Sequence, residues 1–347
     1  MAAKKLSMTY SLNRENPWLY CNYPEVIQEN LGCFGEDGKA INRQGVSAGT
    51  GQIFYSYNAT NVTRKIGIAI RVYNPGTTSI TFKRLYYGHA DSVNDPGEYW
   101  NAMAYISWER YFASTTRTWT IPAKGSIWIC DERIPAKAMF TGNLRYSTSG
   151  NAVIAVYLYK DNKNDISATT TIYPYDNKST VYSGCGKGYF FTASPVTVKA
   201  SEIIANGSVY FETNRRANMD YVINNDSNMN EMIPIKIAGS TLTASADQNA
   251  PLRNLANWCA QYSIPVKLVN DTASRFVFKC ACVGYDTKGR YPVIVDGGKV
   301  LHGKMLGDNM RYDFKSIAVN AGETVYFTYQ YILGTNSVGS VKHVFSN

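Results

Sequence analysis

The chain repeats one segment of itself, and this repetition limits its fold more than any other feature. Residues 70–90 read IRVYNPGTTSITFKRLYYGHA, and residues 266–286 read VKLVNDTASRFVFKCACVGYD. The positions that match without gaps are Asn74 with Asn270, Phe82 with Phe278, Lys83 with Lys279, and Gly88 with Gly284. Downstream, IPAKGSIWI at 121–129 aligns with VNAGETVYF at 319–327 at nearly the same offset. We infer that a strand–turn–strand–connection–strand unit has been duplicated.

Alternating and fully apolar segments of strand length occur throughout both halves, separated by Gly, Pro, Asn and Asp clusters. Tyrosine is abundant, with 27 copies, and aromatic and β-branched residues favour pleated, half-buried surfaces. Short strands with regular turns are typical of sandwiches and barrels. The sequence therefore predicts an all-β fold of two tandem, related β-sandwich domains of jelly-roll or immunoglobulin-like type.

One helix is predicted near 96–112. Asp95 is placed as its N-cap, Pro96 as its first residue and Glu98 in its first turn, which together form a helix-start signal. The apolar residues that follow recur on one helical face. They are Trp100, Met103, Ala104, Trp108 and Tyr111. This stripe is interpreted as core packing rather than as a ligand site.

Composition also suggests where the domains begin and end. Residues 1–45 are rich in Asn, Gly and Pro and are predicted to be an N-terminal arm or irregular segment. The first sandwich is assigned to 46–175, a linker or crossover to 176–205, and the second sandwich to 206–347. The length of 347 residues accommodates two such domains without a stabilising metal or disulfide.

No compact catalytic or metal-binding motif occurs in the sequence. The three histidines form no HxH, HxxxH or HExxH pattern, and Cys280 and Cys282 form CxC rather than CxxC. His89 lies two residues before Asp91, as a base and its orienting acid could, although such a pair is common in turns. We therefore expect no enzyme, no metal and no cofactor. A glycosidase with acids at distant positions is the last-ranked alternative.

The net charge of +9 is spread over isolated basic pairs, so we expect no nucleic-acid partner. The apolar runs, such as AVIAVYLY at 152–159, are much shorter than the ~20 residues of a spanning helix, so no membrane span is expected. The first residues contain two lysines but no apolar stretch, which is not an intact signal peptide. Either the protein stays in the cytoplasm or a signal has been replaced.

Two groups of residues are candidates for binding and cross-linking. Exposed aromatic rings stack on sugars, and the candidates for glycan stacking are Tyr86, Tyr87, Tyr99 and Trp119. The seven cysteines are an odd number, so at least one of them has no partner within the chain. The candidates for cross-linking between molecules are Cys21, Cys33 and Cys185.

Several segments together resemble a family of secreted or cell-surface tandem β-sandwich proteins of Gram-positive bacteria. They include GQIFYSYNATN, GHADSVNDPGEYWNAMAYISWERYF and MFTGNLRYSTSGNAVIAVYLYK in the first half, and NLANWCAQYSIPVKLVND in the second. Members of this family are often named after an attached copper amine oxidase-like N-terminal domain. The resemblance spans about 50–347 and implies an extracellular β-protein without assigned catalytic residues. This chain departs from the family in lacking that domain and a signal peptide, and in its seven cysteines.

The leading functional hypothesis is a non-enzymatic structural or adhesive surface protein that self-assembles into a fibre or array. It rests on the duplicated sandwiches, the tyrosine-rich basic composition and the absence of a compact catalytic motif in the sequence. Exposed edge strands offer a route to assembly, by strand addition from an arm such as residues 1–45. The alternatives are a carbohydrate-binding module for cell-wall or plant glycan and a tandem jelly-roll capsid-type subunit.

Overall fold

The chain forms β-strands through most of the part that the computed structural model describes. That part comprises residues 3–8, 10–22, 24, 26–95, 101–167, 171–172, 185–213, 236–237, 240–241, 261–285, 292–297, 299–302, 310–333 and 340–347. The chain divides into two compact units. The first unit comprises Asn13–Tyr189 and Met232–Asn254, and the second comprises Met1–Leu12, Phe190–Glu231 and Leu255–Asn347.

The strands and helices follow in chain order. The elements up to Ile172 are β1 (Lys4–Lys5), β2 (Tyr10–Cys21), β3 (Lys39–Ala40), β4 (Asn42–Val46), β5 (Gly49–Asn58), β6 (Ile66–Tyr73), β7 (Ile80–Asp91), α1 (Asn101–Ala113), β8 (Arg117–Ile121), β9 (Ser126–Ile134), β10 (Met139–Thr148), β11 (Ala152–Tyr159) and β12 (Thr171–Ile172). The later elements are β13 (Cys185–Ala193), β14 (Val196–Lys199), α2 (Ala200–Asn206), β15 (Ser208–Thr213), β16 (Lys236–Ile237), β17 (Ser240–Thr241), β18 (Gln261–Val269), β19 (Phe276–Tyr285), β20 (Pro292–Asp296), β21 (Lys299–His302), β22 (Arg311–Val319), β23 (Thr324–Leu333) and β24 (Ser340–Ser346). Short 3₁₀ turns lie at Gly35–Asp37 and Lys163–Asp165.

The first unit is a sandwich of two sheets. One sheet has the order β2-β5-β10-β7-β8 and the other has the order β4-β11-β6-β9. Their inner faces supply one apolar core, in which Tyr55 of β5 and Phe140 of β10 meet Ile68 and Ile70 of β6. The outer face of β6 and β11 is covered too, since Ala69 and Tyr157 belong to a second buried cluster. Burial on both faces explains why these two strands are apolar at nearly every position.

The second unit repeats this arrangement. The order β15-β24-β19-β22 corresponds to β5-β10-β7-β8, and the antiparallel pair β18–β23 corresponds to β6–β9. Equivalent strands pair in the same sense, for example β7 with β8 and β19 with β22. The predicted fold class, all-β with two related sandwiches, is thus confirmed. The predicted helix is present as α1 from Asn101 onward, and α2 is a second helix that the sequence analysis did not predict.

A buried asparagine fixes the same corner in both units. Asn74 and Asn270 are completely buried, and each side-chain amide donates to the backbone of its own turn and to the strand end that follows later in the chain. The acceptors are the carbonyl oxygens of Thr78 (2.7 Å) and Ile121 (3.1 Å) for Asn74, and of Ser274 (2.8 Å) and Val319 (2.9 Å) for Asn270. Buried backbone carbonyls need such donors, so the residue is required at this corner.

The two units differ in what connects β7 to β8 in the first unit and the equivalent strands β19 to β22 in the second. In the first unit α1 packs on β7, and a Cβ at Gly88 would lie 1.8 Å from the Ser107 carbonyl oxygen, so only glycine permits this contact. The predicted apolar stripe is buried at Met103, Trp108 and Tyr111, which confirms core packing there. The predicted helix start at residues 96–100 lies outside the described residues. In the second unit, β20 and β21 occupy the connection.

The segments that composition set apart contain regular structure. Residues 13–45 belong to the first unit, where Trp18, Leu19 and Phe34 are buried. The predicted linker 176–205 contains β13, β14 and α2, while its residues 176–184 lie outside the described part. The domain limits drawn from composition stay predictions. Among the described residues, no helix is both long enough and apolar enough to cross a membrane.

Candidate functional site

Polar side chains from both sheets meet inside the first unit, and we call this group the tyrosine network. Its members are Tyr55, Tyr87, His89, Cys130 and Glu132. Tyr55 lies on β5, Tyr87 and His89 are two residues apart on β7, and Cys130 and Glu132 are two apart on β9. Since side chains two residues apart in a strand share a face, each pair points the same way. The network therefore bridges β7 of one sheet and β9 of the other.

Hydrogen bonds connect the whole group. The Tyr55 hydroxyl lies 3.0 Å from Nδ1 of His89 and 3.2 Å from the Tyr87 hydroxyl. The Tyr87 hydroxyl donates to Oε1 of Glu132 at 2.7 Å, and the Cys130 thiol donates to the Tyr87 oxygen at 3.2 Å. Arg84 covers the Tyr87 ring, with its guanidinium carbon 4.6 Å from the ring centroid.

Burial keeps most of these groups uncharged. Desolvation raises the pKa of Tyr55 and Tyr87 well above its usual value and raises the pKa of Cys130 to about 12. It lowers the pKa of His89 to about 4, and it raises the pKa of Glu132. At neutral pH the two phenols and the thiol are protonated and the imidazole is neutral. The network can relay a proton along its hydrogen bonds, but its thiol is not ionised for nucleophilic attack.

His89 does not use the acid that the sequence placed beside it. Asp91 accepts hydrogen bonds from the backbone N–H groups of Val93 (3.0 Å) and Asn94 (2.8 Å), whereas the His89 ring bonds Tyr55. Asp91 therefore stabilises the turn after β7. The sequence did not point to Tyr55 or to the sheet-bridging role of Glu132, although the period-two pairs on β7 and β9 were visible in it.

A second buried histidine lies in the core of the second unit. Nδ1 of His343 lies 2.7 Å from the Tyr329 hydroxyl, and Nε2 lies 2.8 Å from the Thr213 hydroxyl. The ring stacks on Phe211 with a centroid distance of 4.6 Å. His343 is completely buried, and desolvation lowers its pKa to about 3. Both ring nitrogens are occupied by internal partners, so the residue acts as a neutral structural group.

The four predicted glycan-stacking residues do not form one exposed surface. Tyr86 is 37% exposed and stacks on Tyr111 of α1, with ring centroids 5.1 Å apart. Tyr87 belongs to the tyrosine network beneath Arg84, so its ring is not open to a sugar. Trp119 packs against the core of the first unit, and Tyr99 lies outside the described residues.

The predicted cross-linking thiols that the structure describes are enclosed. Cys21 and Cys33 are both completely buried, and desolvation raises the pKa of Cys33 to about 12. Another protein cannot reach either sulfur without local unfolding. Cys185 begins β13, but its side chain lies outside the described residues.

A short strand from the start of the chain occupies one sheet edge of the second unit, and we call this contact the edge joint. Lys4 and Lys5 of β1 pair in parallel with Val209 and Tyr210 of β15, and the Leu6 N–H donates to the Tyr210 carbonyl at 2.7 Å. Lys4 forms an ion pair with Glu202 at 2.7 Å and Lys5 forms one with Glu212 at 2.8 Å. The sequence predicted strand addition in general terms but gave no indication of this partner.

No protein family and no curated protein matches the chain. Among solved structures, the N-terminal CBM22-1–CBM22-2 tandem domain of Xyn10C from Paenibacillus barcinonensis covers 100% of this chain and 92% of its own, with 9% identity and a TM-score of 0.15. The pre-peptidase C-terminal domain of a Bacillus anthracis collagenase covers 24% of this chain and 74% of its own, with 13% identity and a TM-score of 0.14. Such scores indicate neither fold nor function, so the resemblance to Gram-positive surface proteins stays a prediction. Within the described ranges, no three His, Cys, Asp or Glu side chains gather as metal ligands.

Proposed function

We propose that the protein is a non-enzymatic, structural β-sandwich protein that self-associates by exchanging β1 between copies. The observation that carries this proposal is the edge joint. It places residues 4–6 on the edge of β15 that no other described strand pairs with, through backbone hydrogen bonding and two ion pairs. The resemblance to Gram-positive surface proteins motivates placing the assembly outside the cell, at its surface.

The edge joint suits exchange because its contacts are the same whichever copy supplies the strand. An edge strand presents unpaired N–H and C=O groups that accept any extended segment. The two lysines face two glutamates, so charge selects this segment over a neutral one. The exposed Lys4–Glu202 pair contributes only ~0.2–1 kcal/mol, and in the Lys5–Glu212 pair the lysine is exposed while the glutamate is largely buried. Two residues of strand pairing and two such ion pairs form a joint that is weak enough to open. High local concentration then favours exchange between neighbours, as in domain swapping.

The path of the chain makes the exchanged piece small. Met1–Leu12 belong to the second unit, whereas the residues from Asn13 onward belong to the first. Moving β1 into another copy therefore changes contacts of these first residues and leaves both apolar cores intact. Deleting residues 1–20 would be a blunter test, because Trp18 and Leu19 are buried in the first unit.

Cross-linking of two differently tagged chains tests the exchange directly. One chain carries Lys5→Cys and the other carries Tyr210→Cys, because Lys5 and Tyr210 are neighbours across the parallel ladder. Paired positions in adjacent strands have Cα atoms within the range of roughly 4.4–6.8 Å that a disulfide needs. We expect a mixed-tag dimer after gentle oxidation, in an amount that rises with protein concentration.

The matched control replaces Tyr210→Cys by Lys279→Cys, an exposed site on β19 of the same unit. It should give no mixed dimer above background. A chain that carries both Lys5→Cys and Tyr210→Cys forms the disulfide within itself if β1 stays in its own copy. If this chain cross-links but the two singly substituted chains never link to each other at any concentration, then β1 does not exchange and the proposal is wrong. Electron microscopy separates the forms of assembly: closed shells would favour the capsid-type alternative, and linear or sheet-like particles the surface array.

A further inference from the structure

The outward face of one sheet in the second unit has the character of a polysaccharide-binding surface. Three adjacent strands, β14, β18 and β23, present their polar sides together, and we call this surface the Tyr326 face. It is defined by six residues, namely Thr197, Lys199, Lys267, Thr324, Tyr326 and Thr328. The opposite sides of the same strands are apolar and buried, as at Val198, Val266 and Leu268.

Tyr326 is the most exposed large apolar side chain in the described part of the chain, at 67%. Two other tyrosines of β23, Tyr329 and Tyr331, are almost completely buried. A tyrosine ring on the outer face of the sheet gains none of the hydrophobic stabilisation that an inward-facing position on the same strand would give. Lys267 lies directly opposite in the ladder, and its ammonium is over the ring, 5.8 Å from the ring centroid. Unlike Tyr87 beneath Arg84, Tyr326 keeps most of its surface exposed with this cation beside it.

The other polar residues of the face are hydroxyls and cations, and the apolar Pro265 and Val269 of β18 lie between them. Thr197 stands opposite Lys267 on the next strand, so Thr197, Lys267 and Tyr326 form a row across the sheet, about 10 Å long at ordinary strand spacing. Lys199 lies two residues further along β14, diagonally from Lys267. The charged members of the face are both lysines, and Asp271, in the turn after β18, interacts with Lys199. Lys267 is therefore the cation that most favours an anionic ligand.

We propose that the Tyr326 face binds an acidic polysaccharide, in which a sugar ring stacks on Tyr326 and a carboxylate on the sugar pairs with Lys267. An aromatic ring supplies a flat apolar surface, and a lysine beside it supplies a point charge without requiring one geometry. The threonines provide donors and acceptors for sugar hydroxyls. Because the face lies on rigid strands, it is formed before the ligand arrives. This inference is independent of strand exchange.

Affinity gel electrophoresis with polygalacturonate in the gel provides the test, with dextran as the uncharged comparison. We expect polygalacturonate, and not dextran, to retard the protein at low salt. Tyr326→Ala should weaken retardation about tenfold, while Tyr326→Phe, which keeps the ring, should stay within about twofold of the parent. Lys267→Gln should weaken it about threefold and flatten its dependence on salt.

Lys279→Gln is the matched control for charge, since Lys279 is exposed on β19 of the same unit. It should bind as the parent does. Equal loss in both lysine variants, or unchanged binding by Tyr326→Ala, would show non-specific attraction and overturn the proposal. Tighter binding to polyuridylate than to polygalacturonate would overturn the assignment to polysaccharide. All three side chains changed here lie on the surface, and circular dichroism checks that each of the four variants is folded.

Discussion

Acid should destabilise the second unit through one residue, His343. The ring is enclosed by Phe211, Tyr329 and Thr213, and desolvation holds its pKa at about 3 against an ordinary value of 6.5. The unfolded chain therefore binds a proton on this histidine at pH values where the folded chain does not. Stability rises with pH wherever the unfolded state binds more protons. The contribution of His343 is thus complete above about pH 7 and is lost as the pH falls through the unfolded value.

The magnitude follows from the two pKa values. The loss in the free energy of unfolding is ~1 kcal/mol at about pH 6 and ~2 kcal/mol at about pH 5, because each unit of pH below the unfolded pKa costs about one factor of ten in the folding equilibrium. The loss levels off near the folded pKa, where both states carry the proton. A change of ~2 kcal/mol is a large fraction of the roughly 5–15 kcal/mol that stabilises an ordinary domain. His89 is partly exposed, so the larger and cleaner effect is expected at His343.

Hydrogen exchange followed by mass spectrometry measures this effect in the second unit alone. The amides of β24 and β15 exchange through opening of that unit, and their opening free energy, corrected for intrinsic rates, is compared between about pH 8 and about pH 5. The matched variant is His343→Gln, which keeps a polar side chain but cannot be protonated in this range. It should be less stable than the parent at about pH 8, because it loses the fitted ring, and its opening free energy should depend less on pH.

The difference between parent and variant decides the outcome, because other groups that titrate in this range contribute equally to both. If the opening free energies of parent and His343→Gln fall by the same amount between these pH values, His343 makes no pH-dependent contribution to stability. Burial would then not lower the pKa of this histidine, and the reasoning would be refuted. Amides of β5 and β10 in the first unit serve as the internal reference, since His343 does not belong to that unit.

Three further predictions concern the repeated corner, the helix contact and a buried thiol. Asn74→Ala and Asn270→Ala should each lower the free energy of unfolding of their own unit by ~2–4 kcal/mol, because at least two buried carbonyls lose the amide that donates to them. Urea denaturation measures the change, and a loss in only one unit would contradict the equivalence of the corners. Gly88→Ala should lower the melting temperature strongly, because its methyl group would overlap the Ser107 carbonyl, whereas a melting curve like that of the parent would refute the close helix contact. Iodoacetamide should leave Cys130 unlabelled in the native protein and label it in urea; peptide mass spectrometry detects the difference, and rapid native labelling would disprove the burial.

The fold could be predicted from the sequence because the repeat carries its own physical explanation. Asn74 and Asn270 match since each must supply hydrogen bonds to a buried corner, and Gly88 matches Gly284 in a strand of the same topological position. The repeat could not predict the segments that connect its strands, because these differ between the units: α1 lies between β7 and β8, whereas β20 and β21 lie between the equivalent strands β19 and β22. Local propensity predicts a helix, but the choice between helix and hairpin there does not alter the shared sheets.

The sites were harder to predict because the type of a residue does not determine whether its side chain is exposed to solvent. Tyr86, Tyr87 and Tyr326 are chemically alike in the sequence, yet Tyr87 hydrogen-bonds inside the sandwich, Tyr86 stacks on a helix and Tyr326 is largely solvent-exposed. Period two says that Tyr86 and Tyr87 face opposite ways, but only the packing of a second sheet decides which way is inward. The edge joint was hidden for a similar reason, since strand partners about 200 residues apart leave no local pattern.

The distribution of polar groups explains why recognition is expected at edges and faces rather than between the sheets. In the part of the chain that the structure describes, the two buried groups most suited to chemistry have internal partners: Tyr87 has Glu132 and Cys130, and His343 has Tyr329 and Thr213. Satisfied groups of this kind stabilise one packing of the core and have little remaining capacity for a ligand. A sandwich then has two resources left, the unpaired backbone of its edge strands and the side chains on its outer faces. In our two proposals, the edge joint uses the first for affinity toward an extended segment, and the Tyr326 face uses the second for selectivity toward a ligand. Because these resources are separate, the proposed strand exchange would link copies through backbone pairing and would leave the side chains of the Tyr326 face to the ligand.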